Sequence, residues 1–137
     1  MTLVLDASLA LAWCFEGEAT AETNAIRDGL NGTYAVAPAI FALEVANTLV
    51  VAERRKRITR RDIARFISLL ETLDLRLDAS DSERAFGDIL DLARQMRLTT
   101  YDAAYLDLAM RQRLPLASRD QALLAAARRC GIAALPV

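Results

Sequence analysis

Residues 1–11 read MTLVLDASLAL, and this stretch decides the fold class. Residues 2–5 (TLVL) form a continuous apolar run, the pattern of a strand covered on both faces of its sheet. Asp6 ends the run, and residues 7–14 can then form a short helix. The same alternation repeats outward along the chain. YAVA at 34–37 reads as a second strand ended by Pro38, with a long helix over about 39–56 behind it. Residues 74–77, 115–118 (PLAS) and 132–135 (IAAL) read as three more short strands. Further helices are expected over 18–30, over 60–72 behind an N-cap at Thr59, and from Ser80 or Ser82 to about 96. Two more follow, over 101–113 behind Thr99 or Thr100 and over 120–130, closed by Gly131. Strands joined by helical crossovers predict an α/β fold with a short, mostly parallel central sheet of four to five strands and helices on both faces.

The 137 residues suit one domain, 1–137, and a 54% hydrophobic content can fill a core without disulfides or structural metal. The apolar excess can thicken that core or cover an interface. No apolar run approaches a membrane span, so no membrane association is expected. The N-terminus lacks a positively charged leader segment. Cys14 and Cys130 stand far apart and make no disulfide framework. A cytoplasmic protein with two reduced thiols is expected.

The chain contains no histidine. That excludes Ser-His-Asp and Cys-His catalysis and His-based zinc sites. The chemistry left is that of carboxylates, hydroxyls, arginines or a hard metal ion held by oxygen. The formal net charge is −1, from 17 basic and 18 acidic residues. The segment 54–65 (RRKRITRRDIAR) concentrates seven basic residues against one acid.

In open α/β sheets the ligand sits outside the carboxyl ends of the strands. Four acids fall there. Asp6 ends the first strand, Asp120 follows the fourth, Glu44 lies in the helix after the second, and Asp102 lies in the first turn of a helix near the same edge. Unneutralised, four such carboxylates repel one another in a cleft, and Mg²⁺ or Mn²⁺ relieves this with the oxygen ligands it prefers. Each also has a structural role to weigh. Asp6 and Asp120 are possible N-caps, and Asp102 is a first-turn acid favoured by the helix dipole. Glu44 stands apart, because it sits in the apolar stretch AIFALEVANTLVV, where a carboxylate must be paired, protonated or metal-bound. Ser8, Thr100 and Ser118 can orient the acids or cap helices. Asp107 follows Asp102 by five positions, about 140° round the helix, and is expected to point elsewhere.

These segments resemble the motifs of the PIN-domain family. MTLVLDASLALAW is similar to its opening, with an acid after an apolar strand and a hydroxyl two residues on. PAIFALEVANTLVVAERR resembles its second motif, a Glu in a helix after a Pro. TTYDAAYLDLAMRQRLPLASRD resembles the third and fourth, ending in hydroxyl-x-Asp. The resemblance spans essentially the whole chain, in order. Ser118 stands where Thr or Asn is common, and Asp107 adds an acid where an apolar residue often sits, which bears on local surface charge.

The resemblance implies a PIN-like three-layer α/β/α fold. It implies a Mg²⁺- or Mn²⁺-dependent endoribonuclease of the VapC type, the toxin of a bacterial toxin–antitoxin pair. Asp6, Glu44, Asp102 and Asp120 are then its acidic residues, with Asp6 and Asp102 the firmest metal ligands. It further implies a homodimer, a small antitoxin whose tail enters the active groove, and RNA substrates such as transfer RNA. The expected reaction is in-line attack on phosphorus by a metal-activated water, leaving a 5′-phosphate and a 3′-hydroxyl. Either Glu44 or Asp120 can position the water. Arg54, Arg55, Arg57, Arg60 and Arg61 are candidates for contact with RNA phosphates or an antitoxin's acidic tail, or else are solvated cations at a helix end. The alternative is a non-catalytic PIN-like binding or regulatory module, which would have no need to gather four acids.

Overall fold

The computed structural model describes residues 1–136. Five strands form one sheet: β1 (Leu3–Leu5), β2 (Ala35–Pro38), β3 (Leu75–Asp78), β4 (Leu116–Ala117) and β5 (Ala134–Leu135). Every pairing is parallel, in the order β3-β2-β1-β4-β5. The expected three-layer α/β/α arrangement with a short parallel sheet is therefore the fold. β1 lies at the centre because it is apolar on both faces; Leu3, Val4 and Leu5 are each at most 2% exposed. β3 is one of the two edge strands, and its Leu77 is 47% exposed.

The chain first steps outward from β1 to β2 and β3, then returns to pair β4 against the other side of β1. That reversal opens a crevice beyond the carboxyl ends of β1 and β4. Val4 aligns with Leu116 and Leu5 with Ala117. The residues that follow each strand, Asp6 and the Ser118–Asp120 loop, thus emerge side by side.

The helices are α1 (Ala7–Leu11), α2 (Ala21–Asp28), α3 (Ile40–Arg54), α4 (Arg60–Glu71), α5 (Ser82–Arg84), α6 (Leu90–Met96), α7 (Thr100–Gln112) and α8 (Gln121–Arg129). Thr59 caps α4 in a reciprocal box with Asp62, as its sequence suggests. Gly131 follows α8 at φ +75, a conformation that glycine adopts without steric cost. The segment expected as one helix from Ser80 or Ser82 differs. Asp81, not a serine, accepts the capping hydrogen bond, from the Arg84 amide, and a π-helical turn over Ala85–Ile89 joins α5 to α6. Aspartate caps as well as serine does, so hydroxyl spacing alone could not choose between them. α7 runs through the core; Tyr105, Leu106 and Leu108 are fully buried along it. No helix among the described residues is long and apolar enough to cross a membrane.

Candidate active site

Asp6 occupies the N-cap position of α1, yet its side chain makes no capping hydrogen bond. Its Oδ2 instead accepts two hydroxyl protons, from Ser8 and from Ser118, each at 2.6 Å. The two serines also receive the loop that follows β4. Ser8 Oγ accepts the Arg119 amide at 3.0 Å, and Ser118 Oγ accepts the Asp120 amide at 2.9 Å. Two small side chains, 110 positions apart in sequence, therefore clasp the two strand ends around one carboxylate. Asp6 is 4% exposed and Ser118 is 0% exposed. Burial pushes the Asp6 carboxyl above the usual carboxylate range; the Ser118 and Ser8 hydroxyls hold it down in part, and the charge of Asp120 raises it further.

Asp120 is an N-cap in fact: its Oδ1 accepts the amides of Ala122 and Leu123 at 2.9 and 3.2 Å. Capping does not remove it from the site, because its charge raises both Asp6 and Asp102. Asp102 stands in the first turn of α7, positioned by its amide, which donates to Thr99 Oγ1 at 3.1 Å. Burial pushes its carboxyl up to about 6, and Asp120 and Asp6 add to the rise. The dipole of α7 would favour an ionised acid here by about 0.3–1 kcal/mol. Burial and like charge act against that preference.

Glu44 departs from its sequence reading in one respect. The apolar stretch around it is not buried on every side: Leu43 is 69% and Val50 38% exposed, and Glu44 itself is half-buried. α3 turns only Phe41, Val45, Leu49 and Ala52 into the core and leaves an apolar outer face. Tyr105 is what holds Glu44, donating its hydroxyl to Oε1 at 2.7 Å. Burial raises the Glu44 carboxyl, the Tyr105 bond opposes this, and Asp6 and Asp102 add to it. The Tyr105 hydroxyl is itself pushed far above its ordinary value, first by its burial and then by its bond to Glu44. It stays a proton donor at any physiological pH.

Asp6 and Asp102 thus lie within electrostatic reach of each other and of both Glu44 and Asp120. Among the described residues no three of them are packed to metal-ligating distance. No arginine or lysine pairs with any of the four among the described residues. Asp102 keeps both carboxylate oxygens, and Glu44 and Asp120 one each, free of hydrogen bonds to the described residues. An all-oxygen donor set of this charge fits a hard divalent cation such as Mg²⁺ or Mn²⁺.

The comparisons with known proteins show the fold alone. No family model matches the sequence, and no curated protein matches it. Among solved structures it is similar to the crystal structure of PAE2754 from Pyrobaculum aerophilum. That protein is 21% identical, the superposition covers 98% of this chain and 92% of that chain, and the TM-score is 0.68.

One supporting residue is corrected and one is added. Thr100 neither caps α7 nor reaches an acid; it is exposed, and Thr99 does the capping. Tyr105, absent from the sequence reading, holds Glu44, and its place one turn after Asp102 on α7 was the available signal. Asp107 does point away from the crevice, but it is not a matter of surface charge. It is 6% exposed and lies between two arginines. Arg84 donates to both of its oxygens, Arg111 Nε donates to Oδ2 at 2.9 Å, and Arg111 Nη2 continues to Asp78 at 2.8 Å. Of the basic segment, Arg54, Arg55, Arg57, Arg60 and Arg61 are all exposed. Arg60 approaches Glu53 at 4.0 Å, whereas Arg57 approaches Glu18 at 3.9 Å.

Proposed function

We propose that this protein is a metal-dependent endoribonuclease and that Asp6, Glu44, Asp102 and Asp120 form its catalytic centre. One observation carries the reading: four carboxylates from four separate elements gather around the switch point of a parallel sheet, coupled through Asp6 and Asp102, with no basic side chain pairing them among the described residues. A fold under no other demand would neutralise such a cluster or disperse it. The motif resemblance adds the substrate class, RNA, and the toxin role in a cytoplasmic toxin–antitoxin pair.

Asp6 and Asp102 would hold Mg²⁺ or Mn²⁺, with Glu44 and Asp120 completing its oxygen environment. When bound, the ion supplies charge neutralisation and lowers the pKa of a coordinated water. The protein's own part is positioning. Ser8 and Ser118 orient one Asp6 oxygen and leave the acid unable to turn away. Tyr105 fixes Glu44 by one oxygen and leaves the other to accept a proton from an attacking water. Asp120, already anchored through Oδ1 by two amides, offers Oδ2 for the same duty. The apolar outer face of α3, with Leu43 and Val50, supports a homodimer. A small antitoxin partner follows from the resemblance.

The test is incubation of the purified protein with total RNA and Mg²⁺ or Mn²⁺, beside Asp6→Asn and Asp102→Asn. The expected result is cleavage that needs the metal, yields 5′-phosphate ends, and is lost in both variants. Cleavage without metal, unchanged cleavage by both variants, or cyclic phosphate products would contradict the proposal.

A further inference from the structure

Glu18, in the loop between α1 and α2, stands between two arginines that come from distant parts of the chain. Its Oε1 lies 3.9 Å from Arg57 and its Oε2 lies 3.7 Å from Arg119. Arg57 belongs to the basic segment after α3, and its guanidinium lies 4.5 Å over the ring of Phe15, which is 7% exposed. The ring fixes where that cation sits. Arg119 belongs to the β4–α8 loop, between Ser118 and Asp120, and its amide is held by Ser8. A continuous path of contacts therefore runs from Asp6 through Ser8 and Arg119 to Glu18, Arg57 and Phe15.

The two ion pairs are loose. At 3.7 and 3.9 Å neither is a hydrogen bond, and no side-chain N–H of Arg57 or Arg119 donates one among the described residues. Asp107 shows what a finished arginine–carboxylate contact looks like in this same molecule, with Arg84 and Arg111 bonded in full. The Glu18 side chain is 36% exposed, those of Arg57 and Arg119 are 55% and 38% exposed, and such pairs are readily exchanged for another anion. Arginine forks match phosphate oxygens two at a time.

We propose that Arg119 and Arg57 form a phosphate-binding track for RNA leading out of the carboxylate crevice, and that Glu18 occupies this track until an RNA phosphate displaces it. The inference rests on the ribonuclease reading for its ligand class. RNA is favoured over an acidic protein tail because Arg119 sits between two residues of the crevice, so a strand held there has its next phosphates beside the acids. Glu18 then sets a threshold: it preserves the two arginines in place and excludes anions that bind them weakly.

The experiment measures binding of a fluorescein-labelled 20-nucleotide RNA of randomised sequence by anisotropy. EDTA is present so that nothing is cleaved, and KCl is varied. A labelled hexaglutamate peptide runs in parallel. Glu18→Gln is expected to tighten RNA binding roughly fivefold. Arg119→Ala and Arg57→Ala are expected to weaken it and to lower the slope of log K against log salt by about one each. In the Arg57→Ala/Arg119→Ala background Glu18→Gln is expected to change nothing. Unchanged or weaker RNA binding by Glu18→Gln overturns the inference, as does tightening for the peptide alone. If wild-type protein cleaves total RNA while Glu18→Gln binds no better, the track is wrong and the ribonuclease reading stands. If wild-type protein neither cleaves nor binds RNA, both fall.

Discussion

α7 carries two buried or half-buried acids, Asp102 and Asp107, and the molecule treats them in opposite ways. Asp107 is enclosed by Arg84 and Arg111, each of which donates to its carboxylate, and Arg111 goes on to Asp78 at the end of β3. That network ties α5, α7 and β3 together. Asp102, little more than one turn away, is coupled to Asp6, Glu44 and Asp120 and receives no cation from the described residues. Charge at one end of the helix is balanced to hold the fold. Charge at Asp102 is left unbalanced at a cost in stability, and the proposed cation site rests on that imbalance.

The largest effect that can break this comparison is on activity. Asp102→Asn and Asp6→Asn should each lower metal-dependent RNA cleavage by about a hundredfold or more, since each removes a charge the cation requires. Retention of cleavage in both would place the chemistry elsewhere. On stability the order reverses. Asp107→Ala should destabilise the protein by about 2 kcal/mol or more, because two neighbouring guanidiniums lose their common partner and repel each other. Both arginines reach solvent, which places the value at the lower end for a broken buried pair. Urea unfolding checks this, and an unchanged midpoint would show that the network is not structural.

Asp102→Asn, in contrast, should raise the melting temperature of the metal-free protein by a few degrees. The gain should depend on pH. Asp102 has its folded value raised from 3.8 to about 6, so between those values the folded chain binds more protons than the unfolded one. Wild-type stability from this group is therefore present at low pH and is lost as pH rises through about 6. The advantage of the variant should open across that window and then level off. A constant difference from pH 4 to pH 7 would show that burial and the neighbouring acids do not raise the Asp102 carboxyl. The smallest effect concerns Tyr105→Phe. Loss of the 2.7 Å bond frees Glu44 to rotate and should lower cleavage about tenfold with little change in stability.

Much of this contrast was legible in the sequence. Apolar runs ended by an acid or a proline place β1 and β2, and parallel topology carries Asp6 and Asp120 to one edge. Helix capping was readable at Thr59 because its partner Asp62 lies three residues on. The unread part is what depends on side chains meeting across long separations. Nothing local marks Tyr105 as the partner of Glu44, 61 positions away, or Arg84 as that of Asp107, 23 positions away. Glu44 misled in a smaller way, because an apolar neighbourhood in sequence can be an exposed face of a helix as readily as a buried one. The π-helical turn at Ala85–Ile89, which packs against α7, has no local sequence mark.

The most direct measurement is calorimetric titration of Mn²⁺ into the metal-free protein at neutral pH, with Asp6→Asn and Asp102→Asn titrated alongside. Saturable binding by the wild type, at least tenfold weaker in each variant, is the predicted result. Absence of saturable binding, or equal binding in all three proteins, would contradict the claim that these four carboxylates are held unbalanced for a cation.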